Sequence, residues 1–407
     1  MKKLIVLLIF CIFLCCTGCG KNTTENTIKF SSWGSQSELV ILKSLIKTFE
    51  KENPDIKVEF IHIPQNYFQK LHLLFASKLE PDVIFLNNIY APIYMKAGLL
   101  EDLSPYIKSD LEKQTFFKTA TDGFTQGDKI YAIPRDVSNL VIYYNKDLFK
   151  KTNTPLPTEN WTFDDFIKTA RSLKTEQTFG INFENSSLFW IYYLESNGGG
   201  ILSDDSKKII IDSPQSINTL QLYSNLINKE NIIPTKSQKA SKTSAQMFID
   251  GEIGMYLSGR WMVPKFRETI PFDWDVVSFP ANEKNKVLVD SSGWAIAKNS
   301  KNKQSAIKLI NFLSSKESIE KITESGLIIP ARVDVAYSES FLCEEKKPKN
   351  SIVFIQMLKN AKPTPTNPNY QRINDILNEQ LEPVFNGQEK AKSAINKKLT
   401  KDLSKLL

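Results

Sequence analysis

A chain of 407 residues is too long for one ordinary hydrophobic core, so two domains are expected. With 41% hydrophobic and 24% charged residues it has the composition of a folded globular protein, which excludes a disordered or fibrous chain. The formal net charge of +7 is mild and spread along the chain, and two of its lysines fall in a leader, so no nucleic-acid partner is expected.

Residues 1–18 read as a signal peptide. Lys2-Lys3 form a positive start, and the apolar run Leu4–Leu14 is too short for a comfortable membrane span. Cys16-Thr17-Gly18-Cys19 then resembles the bacterial lipoprotein signal, which makes Cys19 the expected lipidation site, although Cys16 stands where that motif usually has Leu. Cys16 and Cys19 also spell a C-x-x-C redox pattern, but no βαβ unit follows it. Of five cysteines only Cys343 lies in the body, so no disulfide is expected in the mature fold. Residues 19–27 form a polar tether.

The first lobe alternates strands and helices. Ile28–Phe30 opens a strand that ends at Ser31-Ser32-Trp33-Gly34. Leu42, Leu45, Ile46 and Phe49 follow at helical spacing, and Pro54-Asp55 stops that helix. Ile56, Val58 and Phe60 alternate as a strand, Tyr67–Leu79 is helical, and Val83–Leu86 is a continuous apolar run suited to a central parallel strand. This βαβαβ order predicts an open α/β sheet with helices on both faces. In such sheets ligands sit beyond the carboxyl ends of the strands. That rule picks out Trp33, then Gln65 and Tyr67, then Asn87, Asn88 and Tyr90 as candidate contacts.

The stretch Gln126–Asp147 reads as a first crossing between lobes. Lys129–Ile133 is a strand that stops at Pro134, Arg135–Asn139 is a polar break, and Leu140–Tyr144 is apolar again. Asp136 and Asn139 are thereby left in the gap; a hairpin within one domain is the ordinary alternative. In the second lobe Thr162 and Asp165 form a helix-start pattern, so Trp161 is read as structural. Phe189–Tyr193 is an aromatic helix closed by Asn197-Gly198-Gly199-Gly200, a C-cap rather than a phosphate loop because no Lys-Ser/Thr follows. Trp190 on it fits core or cleft. Ile253–Leu257 is a buried strand that delivers Arg260 and Trp261 at its carboxyl end. Further crossings are expected at Val287–Asp290, before Trp294, and at Gly326–Arg332. Pro363, Pro365 and Pro368 form a rigid connector, and helices over Ile373–Phe385 and Lys390–Leu406 close the chain.

Five segments in this order, FEKENPDIKVEF, PDVIFLNNIYAPIYMKAGLLEDLSPYI, YAIPRDVSNLVIYYNKDLF, GEIGMYLSGRW and SSGWAIAKNSKNKQSAIKLINFLSS, resemble the sugar-type extracellular solute-binding proteins of bacterial ABC importers. The resemblance covers nearly the whole mature chain. It implies a periplasmic-binding-protein-like α/β fold, two doubly wound lobes joined by three hinge strands, with a ligand cleft between them. Lobe 1 would take 28–135 plus 290–330, and lobe 2 would take 136–289 plus 331–407. The family pattern puts cleft contacts at Trp33, Asn87, Asn88, Asp136, Trp261, Trp294 and Arg332, with Asn87-Asn88 where many relatives carry an acid. Implied partners are a sugar, a membrane permease and, through Cys19, the outer side of the cytoplasmic membrane or the periplasm. A monomer without cofactor or metal is expected.

Sugar chemistry suits these residue types. Aromatic faces stack on the C–H face of a pyranose, and amides and carboxylates bind its hydroxyls. Arg135, Arg260 and Arg332 leave an anionic solute open, such as a uronate or a glycerol phosphodiester. The rival class is a secreted glycosidase, but Asp164-Asp165 and Asp204-Asp205 are adjacent residues that do not face one substrate. His62 and His72 make no metal or nucleophile motif.

Overall fold

The computed structural model describes residues 26–107, 111–182, 186–280, 287–365 and 367–407, so Cys19 and the leader lie outside it. The expected alternation is present: β1 (Asn26–Ser32), α1 (Gln36–Glu52), β2 (Ile56–His62), α2 (Tyr67–Ala76) and β3 (Val83–Asn87) follow one another. Ser35 opens α1 by accepting the Glu38 backbone N–H, which satisfies a donor that a helix start leaves free. The stripe of Leu42, Leu45, Ile46 and Phe49 is buried, and α1 packs on β2. β1 lies between β2 and β3 and runs parallel to both, with Phe30 opposite Phe60 and Val83.

Further on come β4 (Ile133–Ser138), β5 (Val141–Asn145), β6 (Phe179–Asn182), α3 (Ser187–Ser196), β7 (Ile253–Ser258), β8 (Trp274–Ser278), β9 (Val287–Ile296), β10 (Ile329–Pro330), β11 (Ala361–Pro363) and α4 (Tyr370–Phe385). Among the described residues the main strands form two mixed sheets. The first runs β10-β4-β9-β3-β1-β2 with β11 added to β9, and the second runs β8-β5-β7-β6. The α/β class read from the sequence is the class observed.

The chain passes from the first sheet to the second between Ser138 and Val141, within the stretch Gln126–Asp147. The strand before that passage differs from expectation. Lys129–Ile130 pairs with Thr125–Gln126 as a small hairpin, and β4 runs on through Pro134, Arg135 and Asp136. Pro134 is tolerated because it lies opposite Gly293, where the register of β9 shifts and the ladder is already irregular. Only glycine fits at 293, since a Cβ would lie 2.4 Å from the Ile133 carbonyl oxygen. Charged residues enter this strand because Arg135 and Asp136 are buried together as an ion pair.

β9 serves both ends of the molecule. Val287–Val289 pairs with β11, whereas Asp290–Ile296 pairs with β4 and β3. The expected crossing at 326–332 is drawn out. β10 pairs with β4, the short helices Val333–Ala336 and Glu339–Leu342 still pack on Lys316–Glu324, and Val353–Gln356 is the segment that packs on β8. The connector around Pro363 is partly a strand, β11. The single terminal helix expected over 390–406 is two, Ala391–Ala394 and Lys397–Ser404. Asn396 causes the break by accepting the Leu399 N–H and capping the second. Thr162 and Asp165 form the expected capping box, and the Trp161 indole is buried with its Nε1–H on the Ser278 carbonyl at 2.9 Å.

Candidate ligand-binding cleft

Two adjoining cavities, of about 530 and about 260 Å³, share Ser138 at the end of β4 and Trp261 just after β7. The larger is walled by Trp33, Gly34 and Glu38 from the β1–α1 turn, Arg135 and Asp136 from β4, Arg260, and Ser292. The smaller is walled by Asn87, Asn139, Asp290, Leu188 and Tyr192 of α3, and Tyr370 and Asn374 of α4. The cleft thus lies between elements of the two sheets. A groove of about 560 Å³ continues past Gln371 to Tyr90, Arg372 and Asp375. A larger hollow of about 1030 Å³ lies beside Trp161 and is walled by Asn160, Thr162, Ser196, Pro280, Val287 and Met357.

The aromatic groups reach the cleft by different local means. Trp33 is half-buried and braced by the Phe85 ring at 4.1 Å and the Tyr67 ring at 5.0 Å. Tyr67 is itself held by the Ser31 hydroxyl at 2.9 Å, so it supports Trp33 from beneath rather than lining the cleft. Trp261 follows a fully buried strand, yet it is 37% exposed. Its ring folds back over Gly259, where a Cβ would lie 1.9 Å from a ring carbon.

The larger cavity holds a closed set of charges. Arg135 donates to both Glu38 and Asp136, and its guanidinium lies 4.0 Å from the Phe85 ring centroid. One cation serves two buried carboxylates. Burial pushes the Asp136 carboxyl up to about 6 against the pull of Arg135. Arg260 is different. Its Nη1 donates to Ser351 Oγ at 3.2 Å, its Nη2 donates to the Phe341 carbonyl at 3.3 Å, and its plane lies 4.0 Å over the Phe341 ring. Burial lowers its pKa to about 9.

The smaller cavity is less satisfied. Asn139 Nδ2 donates to the Phe354 carbonyl at 2.8 Å, but its Oδ1 has no hydrogen-bond partner, nor has Asn374 Oδ1. Asp290 accepts the Thr364 hydroxyl, and burial pushes its carboxyl up to about 6.

Of the residues singled out from the sequence, Trp33, Asn87, Asp136, Asn139, Arg260 and Trp261 line these two cavities, and Tyr90 lines the continuing groove. The others lie elsewhere. Gln65 is exposed and lines none of the three cavities. Asn88 is fully buried, its Oδ1 accepting the Ser291 N–H at 3.0 Å, so it ties β3 to β9. Trp190 is core, with its Nε1–H on Asn378 Oδ1 at 2.7 Å. Trp294 is wholly buried against Phe85 and Phe30 and leaves no face for a ligand. Arg332 is buried in a bidentate pair with Asp334. The reading missed Glu38, Asp290, Tyr192, Tyr370 and Asn374. Asp290 had a signal, an acid ending the apolar run Val287–Val289; the others had none.

A model of the bacterial extracellular solute-binding family matches residues 33–320. The galactooligosaccharide-binding protein of Bacillus subtilis (strain 168) is 23% identical over 418 residues, 97% of this chain and 95% of that one. The sn-glycerol-3-phosphate-binding periplasmic protein UgpB of Brucella melitensis is 22% identical, over 89% and 88% of the two chains. An ABC substrate-binding protein of Listeria monocytogenes, solved in complex with cycloalternan, superposes with a TM-score of 0.85 at 27% identity over 93% of this chain and 98% of that one. The fold is that of the periplasmic binding proteins, and the chain belongs to the bacterial extracellular solute-binding protein family.

Proposed function

We propose that the protein is the capture component of an ABC importer: it binds a sugar or oligosaccharide in the cleft, closes over it, and presents it to a membrane permease. The observation that carries this is Trp261, an exposed indole set between two cavities whose polar lining is amides, hydroxyls and carboxylates. That pairing of an apolar plate with hydrogen-bonding groups suits a pyranose ring. The sugar ligands of the similar proteins support the same reading. Membership of a binding-protein family supports capture without turnover.

Two lobes, 28–135 with 290–330 and 136–289 with 331–407, would move about β4–β5, β9 and the segment after β10. Ligand that touches both walls favours the closed state by its differential affinity. Cys19 would carry the lipid that holds the protein at the cell envelope. Arg260, buried with no carboxylate bonded to it among the described residues, is the observation that favours the second reading, an anionic solute.

The test is a thermal-shift screen of the mature protein against malto-, galacto- and arabino-oligosaccharides, with chromatography of each mixture. Ligand at a hundredfold Kd adds about 2.7 kcal/mol, a rise of several degrees. A rise with the sugar recovered intact is expected. Cleaved sugar would make it an enzyme, and no rise with any saccharide would overturn the proposal.

A further inference from the structure

Two buried acceptors in the wall of the smaller cavity have no donor. Asn139 and Asn374 are 2% and 5% exposed, and each keeps a carbonyl oxygen with no hydrogen-bond partner. A buried polar atom left this way costs free energy that a bound donor would recover. Asp290 adds a carboxylate that accepts the Thr364 hydroxyl and pairs with no cation among the described residues. No lysine or arginine is among the described residues lining this cavity. In the neighbouring cavity Arg135 is engaged by its two carboxylates, whereas Arg260 bonds Ser351 and Phe341 through its two terminal nitrogens and keeps Nε without a partner, so any affinity for an anion belongs to that cavity and not to this one.

We infer that Asp290, together with the Asn139 and Asn374 carbonyl oxygens, recognises hydrogen-bond donors of the bound molecule, so that this cavity takes a hydroxyl-rich group that is neutral or cationic and rejects an anionic one. The inference rests on the cleft being the sugar site and narrows the class of sugar. A carboxylate or phosphate entering here would meet a negative charge and two lone-pair oxygens, with no lysine or arginine in the described lining to offset them. A sugar hydroxyl donates to such oxygens, and a hydrogen bond to a charged, half-buried acceptor is among the stronger ones. Asp290 lies on β9, paired with Ser138 of β4, so the residue that reads the ligand sits on strands leading between the sheets. The other titratable side chains in that wall are Tyr192 and Tyr370, whose hydroxyls burial holds neutral.

Calorimetric titration of the mature protein with galactotriose, maltotriose, trigalacturonate and sn-glycerol 3-phosphate tests this without any variant. A neutral trisaccharide should bind, and neither anion should compete. Asp290→Asn, which keeps the shape and the Thr364 bond, should weaken the neutral trisaccharide roughly 10- to 100-fold. It should also narrow the discrimination against trigalacturonate. Preference of the wild type for either anion, or unchanged neutral affinity in the variant, overturns the inference and leaves the cleft standing as the site. Failure of all four probes to bind overturns both.

Discussion

In the two cavities that meet at Ser138 and Trp261, one buried charge cluster is fully paired and one buried set of acceptors is not. In the larger, Arg135 is saturated by Glu38 and Asp136 and covered by Phe85. In the smaller, Asn139, Asn374 and Asp290 retain acceptor capacity that the described protein does not use. A polar group whose partners are all internal holds the fold, whereas one kept short of partners costs stability and is kept for another purpose. Burial and charge alone do not separate the two. The count of partners does.

The largest effect expected from breaking this contrast is at Arg135. Arg135→Met leaves Glu38 and Asp136 as buried carboxylates without a cation and should cost about 3–5 kcal/mol of folding stability. Urea unfolding reads it directly. A loss under about 1 kcal/mol would mean that the triad does not hold β4 to α1.

Asp290 should behave in the opposite sense. Its carboxyl, held at about 6, lies above the ~3.9 of an unfolded chain. Between those values the folded state binds more protons than the unfolded one, so this group's contribution to stability falls as pH rises from about 4 to about 6. Its full cost is present above pH 6. Asp290→Asn removes it and should make the free protein more stable at pH 7.5 by about 1–2 kcal/mol, a gap that closes near pH 4. A variant less stable than wild type at pH 7.5 would show Asp290 to be structural.

The sequence carries the α/β alternation because β1, β2 and β3 have period-two or unbroken apolar runs and α1 has a clean stripe between caps. It also places Trp33 and Trp261 at the cleft, since both follow the carboxyl end of a buried strand. Trp294 shows where that rule stops. It lies inside a strand, opposite Phe85 in the ladder, and its side chain enters the core. Asn87 and Asn88 are neighbours whose side chains part at the end of β3: the first faces the cavity and the second is clamped to Ser291. Nothing local says which is which. The Arg135–Glu38 pair joins residues 97 apart, and Tyr370 and Asn374 reach the cleft only because α4 returns to it; long-range packing of that kind leaves no periodic signal.

The most direct test of the central claim, that ligand binds between the sheets against Trp261, is calorimetric titration of Trp261→Ala with the best sugar from the screen, Trp294→Ala serving as the buried counterpart. Trp261→Ala should weaken binding by about 2–4 kcal/mol, roughly 30- to 1,000-fold, and leave the ligand-free melting midpoint within a few degrees of wild type. Trp294→Ala should instead cost ~3–5 kcal/mol of folding stability. Affinity within threefold of wild type in Trp261→Ala, or a collapse of its ligand-free midpoint, would contradict the account.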